Sequence, residues 1–422
     1  MIETTELFPG ITLRCFPDRR FKHGCLSVQL VRPMHRDEAA VNALLPAVLL
    51  RGSRNCPDLR KITLRLDELY GASVSALVRR VGDYQTTGLY CSFIEDGYAL
   101  PGDRVLEPAV EFLGQLLLEP VTRDGIFLPE YVESEKKNLI STIESELNNK
   151  RAYAAGQMLK IMCRADSYGI PRLGEPEQVA AIDPRSAYAH YRKILRESRM
   201  ELFYVGSAAP EQVAALLKGL LSGVERDYRE LPAQTPFRDG GLGGETVEEM
   251  DVAQGKLCMG LTTPITNRDP RFAAMQLCNT VWGAGMSSKL FMNVREKLGL
   301  CYSVGSGYYG AKGILTVSAG IDSGNLRVAK DEILRQLDAC RAGDITGQEL
   351  TAAKQAVYST LRSVHDSPGS IENYYSTMEL SGLGMTPEAY MAAIEAVTGD
   401  AVAQAARTVA LHTTYFLKGV DA

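Results

Sequence analysis

The sequence predicts an α+β protein of two similar domains from a duplication, each an antiparallel-rich mixed sheet packed with helices. Three observations predict it: two segments that alternate apolar and polar residues alike, a repeated order of elements after each, and a linker-like stretch between them. Residues 25–33 place Leu26, Val28, Leu30 and Pro33 where residues 256–264 place Leu257, Met259, Leu261 and Pro264. Period-two alternation of this kind suits a half-buried strand.

A polar, acidic turn and an apolar helix follow each strand, over 37–51 and over 270–283. A second helix then ends at a glycine, Gly71 or Gly299, a residue that readily takes the backbone turn leaving a helix. Further strands are expected near 72–94 and 300–321. Leu106, Ala109, Val110, Leu113, Leu116 and Leu117 form one apolar stripe at helical spacing, and Leu326, Ala329, Ile333, Leu334 and Leu337 form its counterpart. A long helix runs through 140–145 in one half and 358–363 in the other. The offset between halves drifts from 231 to 218 residues, so one half carries modest insertions. The expected boundaries are 1–225 for the first domain, 226–247 for a linker rich in proline and glycine, and 248–422 for the second domain. The glycines of 239–244 lack the phosphate-loop pattern and precede an acidic strand, so they read as linker.

Composition narrows the function. The 422 residues are 45% hydrophobic and 23% charged, an ordinary globular mixture. A net charge of −5 from 46 basic and 51 acidic residues argues against a nucleic-acid binder and gives no reason to expect an anionic membrane as partner. No apolar run reaches bilayer-spanning length, and the N-terminus is acidic where a signal peptide would be basic. Nine scattered cysteines, never spaced C-x-x-C, read as buried reduced thiols of a cytoplasmic protein. The five histidines are His23, His35, His190, His365 and His412, none close to another. His35 and Glu38 are spaced H-x-x-E, but Ala39 follows and they read as a polar turn ahead of the helix. Glu133, Glu135, Glu144 and Glu146 read as the solvated face of a helix.

The stretch from Gly285 to Val304 is close to a pattern of small residues, S-[RK]-L-F, V-R-E-K-x-G-L and Y-S-V. With Ser167-Tyr168-Gly169-Ile170-Pro171, Gly174 and the strand Met200 to Gly206, it resembles the pitrilysin/insulinase superfamily, on the side of mitochondrial processing peptidase and its bacterial relatives. The resemblance covers nearly the whole chain. It implies two α+β domains enclosing a chamber, in which an extended peptide is added to a sheet edge. It also implies a zinc site built from an inverted H-x-x-E-H motif plus a glutamate from a later helix, with the motif glutamate as general base.

This sequence departs from that pattern at each of those positions. Aligned through Leu50-Arg51-Gly52-Ser53, the two histidines fall on Ala43 and Ala47 and the general base on Pro46. In the later helix the first family glutamate falls on Glu135, and the third ligand on Thr142. The resemblance therefore implies no metal in this chain. It does supply an arginine and, seven residues on, a tyrosine, understood to hold the substrate backbone and the oxyanion. They fall on Arg295 and Tyr302. A guanidinium is a fixed cationic fork and a phenol an uncharged donor at neutral pH, which suits those roles. An arginine on a helix surface and a tyrosine filling a strand is the structural alternative. Residues 282–288 lie where processing peptidases carry a glycine-rich substrate loop, but read as a plain turn between helices.

The resemblance then implies a non-catalytic subunit. Its partner would be a homologous zinc-binding peptidase subunit in a heterodimer, with zinc in that partner, and extended peptides as substrate. A scaffold like the core proteins of a respiratory complex, a peptide-capturing homodimer and an enzyme with relocated chemistry stay open.

Overall fold

The computed structural model describes residues 2–241 and 243–419. Met1, Leu242 and residues 420–422, which the sequence reading assigned to the N-terminus, the linker and the end of the second domain, lie outside the described residues. The strands are β1 (Glu3–Phe8), β2 (Ile11–Pro17), β3 (His23–Pro33), β4 (Ser73–Val81) and β5 (Tyr84–Ile94). A short hairpin of β6 (Thr122–Arg123) and β7 (Ile126–Phe127) precedes β8 (Arg199–Gly206). Then come β9 (Gly244–Met250), β10 (Gly255–Thr262), β11 (Cys301–Tyr309), β12 (Ile314–Ile321) and β13 (Ala410–Gly419).

Apart from the β6–β7 hairpin, they form two mixed sheets, each packed with helices. The first has the order β1-β2-β8-β3-β5-β4 and the second β11-β12-β10-β13-β9. Leaving out β1, the two orders are the same. The strand senses agree as well: β2–β8 and β9–β13 are parallel, and every other pair is antiparallel. A repeated order with its one parallel pair in the same place is what duplication of a single unit produces.

The helices fall close to where periodicity places them, at Arg36–Leu49, Leu106–Leu118, Phe272–Trp282 and Leu326–Ala342. The stripe on Leu106–Leu118 is buried at all six expected positions. One local expectation changes: the segment Leu290–Lys297 is a π-helix, a wider turn than α, which ends at Gly299 with φ +61°.

The chain divides into two compact units that cross the linker. Unit 1 comprises 1–144, 171–233 and 365–377; unit 2 comprises 145–170, 234–364 and 378–422. This explains a second difference. β3 and β10 are buried on both faces, not one. The polar letters of β3, Ser27 and Gln29, face the buried carboxylate of Glu372 within unit 1. In β10 the position of Gly260 is covered by Met158 and Met162 within unit 2.

Among the described residues, the segment between the last helix of the first half and β9 has no regular structure, yet it is held. Asp227 and Arg229 donate to the carbonyls of Arg196 and Glu197 in unit 1, and Phe237 donates to that of Lys312 in unit 2. Eight of the nine cysteines are buried and Cys56 is half-buried. No helix among the described residues is long and apolar enough to cross a membrane.

Candidate functional site

The positions to which the resemblance assigns the inverted zinc motif lie on the Arg36–Leu49 helix of unit 1. His35 caps this helix and Glu38 sits inside its first turn, where Arg32 and Lys193 bind its carboxylate. The pair is therefore part of the helix start and does not precede it. Ala43 and Pro46 are buried and Ala47 is half-buried. A proline inside a helix cannot donate to the carbonyl four residues back, here that of Asn42. The Thr87 hydroxyl of β5 donates to that carbonyl instead, at 2.6 Å. Thr87→Val keeps the shape of the side chain and leaves this buried acceptor bare. The variant should lose about 1–3 kcal/mol of stability, read by denaturant unfolding.

The Asn42 side chain centres a neutral network beside those positions. Its amide donates to Gln85 Oε1 at 2.9 Å, and Gln85 Nε2 donates to the carbonyls of Ala39 and Arg172. Asn42 Oδ1 must then accept from His190, 2.7 Å away, which places the proton on Nε2. Burial pushes the His190 pKa down to about 4; nearby Arg32 and Lys193 push the same way, against the opposing charge of Glu38. The folded protein keeps this imidazole neutral at pH values where the unfolded chain protonates it. Stability is thus fully present above pH 6.5 and falls as pH drops toward 4. Between pH 7 and 5 the loss should be about 2 kcal/mol, and His190→Gln should flatten it when the two unfolding curves are compared. Glu38, pushed up by burial but held down to about 2 by hydrogen bonds from Arg32 and Lys193, stays ionised over that interval.

The later helix, Pro129–Ser145, is equally unsuited to a metal. Glu133, Glu144 and Glu146 are exposed as expected, but Glu135 is buried. Its carboxylate binds Arg51 at 3.1 Å and accepts from the Asn138 amide. Thr142 donates its hydroxyl to the carbonyl of Asn138 at 2.8 Å. Two alanines, a proline and a threonine turned back on its own helix do not fit zinc, which takes three or four N, S or O ligands. Among the described residues no group of three or more His, Cys, Asp or Glu could hold a metal ion. A cavity of about 680 Å³ in unit 1 is lined by Leu118, Arg192, Arg196, Leu220 and Val224, among others, and none of the four positions reaches it.

Arg295 and Tyr302 lie together in unit 2. Arg295 projects from the π-helix, donates Nε to the Tyr302 carbonyl at 3.0 Å and lies over the Phe291 ring. Tyr302 is the extra residue of a β-bulge: Cys301 pairs with Ile321 and Ser303 with Gly320, so Tyr302 has no partner of its own. β11 is an edge strand, and the Tyr302 side chain is 78% exposed. π-turns and bulges both re-aim side chains, and both recur at functional sites. Neither was visible in the letters of the sequence, nor was the Asn42–Gln85–His190 network, since His190 has no spaced partner. Residues 282–288 form a tight turn, with Ser288 bonding back to Gly285 and Ser306 to Gly283.

Residues 181–357 match the family model described as the peptidase M16 inactive domain. The chain is 29% identical over 419 residues to the probable inactive metalloprotease YmfF of Bacillus subtilis, covering 98% of this chain and 96% of that protein. A conserved protein from Enterococcus faecalis superposes with a TM-score of 0.91 at 28% identity, over 99% of each chain. A chain of complex III2 from Candida albicans shares the fold, with a TM-score of 0.76 at 13% identity over 99% of this chain and 96% of that one. Sequence likeness over the full length and the two duplicated sheets agree: the chain is similar to the M16, or pitrilysin, peptidase family along its whole length.

Proposed function

We propose that the chain is the non-catalytic subunit of a heterodimeric zinc metallopeptidase in the cytoplasm. Residues 1–225 and 248–422 are the two copies of the duplicated unit. Zinc and the general base belong to a homologous partner with an intact H-x-x-E-H motif. This chain adds Arg295, to hold the backbone of an extended peptide, and Tyr302, to donate to the oxyanion. The observation that carries the reading is Tyr302 itself. A tyrosine that merely filled a strand would be packed, whereas this one stands on a bulge, 78% exposed, with Arg295 bonded to its carbonyl. Nine cysteines without a disulfide suit a reducing compartment.

A second reading, a scaffold without part in catalysis, is favoured by the fold shared with a chain of complex III2. Purification with and without a homologue from the same genome that carries the intact motif separates the two. Alone, the chain should hold no stoichiometric zinc and cleave no unstructured peptide. With the homologue it should co-elute and raise zinc-dependent hydrolysis. Chelator-sensitive activity in the chain alone would refute the subunit reading, and a complex with unchanged activity would favour the scaffold.

A further inference from the structure

The exchange of segments between the units is reciprocal. Unit 2 takes residues 145–170 from the first half of the chain, and unit 1 takes residues 365–377 from the second. The helices at their centres, Lys150–Met162 and Pro368–Leu380, start 218 residues apart, the same offset that relates the later helices of the two halves. Each is thus the counterpart of the other, docked on the other half's sheet.

Each arm fills a face that its host sheet would otherwise show to water. In unit 2 a Cβ at Gly260 would meet the sulfurs of Met162 and Met158 at 2.4 and 2.7 Å, so the arm packs against bare backbone. Ala154, Met158 and Met162 join Cys258, Ile314 and Tyr415 in one buried cluster. In unit 1, Tyr375 packs against Phe16 and Phe203, with ring centroids 5.6 and 6.4 Å away.

Each arm also brings a buried acid to a base of its host. Glu372 is wholly buried, binds Arg79 at 2.8 Å, and accepts from Ser27 and Gln29. Asp166 binds Lys312, itself fully buried, at 3.0 Å. Without the visiting arm, Lys312 in unit 2 and the largely covered Arg79 in unit 1 would each lose a buried anion bound to it. A buried charge without its partner strongly disfavours the folded state.

We infer that the arms make the two halves of the chain obligate complements. Neither half completes a unit alone, and the protein cut in its linker stays one assembly. The test uses the full chain with a protease site inserted between Ala233 and Gln234, folded and purified before cleavage. The nicked protein should elute at the mass of the intact chain and unfold in one transition. Separation of the products into two folded halves would overturn the inference. Glu372→Gln and Asp166→Asn preserve shape and remove one charge each. In the intact chain Glu372→Gln should speed amide exchange in 368–380 by about 10²–10³-fold, and Asp166→Asn should do so in 150–162. Exchange in both arms at the wild-type rate would refute the role of the ion pairs.

Discussion

If the proposed two-subunit peptidase is reconstituted, replacing Tyr302 by phenylalanine is expected to lower its turnover by about 10²–10³-fold, the range for one oxyanion donor. The ring stays, and the side chain stands 78% exposed, so folding should not change. KM should move far less than kcat, because the hydroxyl bond strengthens only as charge develops on the oxygen. Arg295→Ala should behave differently. On the proposed reading it removes a contact to the bound backbone, so KM should rise. It also removes the hydrogen bond to the Tyr302 carbonyl, which frees the bulge, so kcat falls as well. The double variant should therefore lose less than the sum of the single losses. Steady-state kinetics of the complex decide this, and wild-type rates for both single variants would leave the pair with a structural role only.

The second large effect concerns stability. Lys312→Met should destabilise the protein by about 3–5 kcal/mol. The ammonium lies fully buried 3.0 Å from Asp166, whose own side chain is 1% exposed. Backbone donors from Tyr168 and Arg238 remain on that carboxylate, but its countercharge does not. The midpoint of thermal unfolding should drop by about 3–6 °C if the whole chain unfolds in one transition. Adding Asp166→Asn removes the stranded charge and should recover most of the loss. A single variant as stable as wild type would show that the pair contributes nothing.

Much of the fold was legible in the letters. The strands at β3 and β10, the apolar helices after them and the stripe from Leu106 to Leu117 follow from local periodicity, which each segment carries in itself. The reciprocal arms were not legible. Ser27 and Gln29 alternate with apolar neighbours as water-facing residues do, yet they face Glu372, some 343 to 345 positions away. Nothing local distinguishes a polar residue meant for solvent from one meant for a distant carboxylate. Glu135 was misread for the same reason, since its partner Arg51 lies 84 positions back. At the candidate site, residue identity located Arg295 and Tyr302, but the π-helix and the bulge that present them are matters of hydrogen-bond register, which the composition of Leu290–Lys297 does not betray.

Pro46 carries a consequence for descent. Where the resemblance has a glutamate, this helix has a residue that cannot donate, and the Thr87 hydroxyl of β5 bonds the carbonyl left open. Arg51 holds Glu135. Building a metal centre of the family pattern here would require ligands at 43, 47 and 142 together, and a general base at 46 besides. No single step along that route gains a bound ion to reward it, while a glutamate at 46 alone would set a carboxylate in a buried place. Selection working one codon at a time therefore meets a ratchet. On the proposed reading, zinc chemistry at this helix would have to come from a partner.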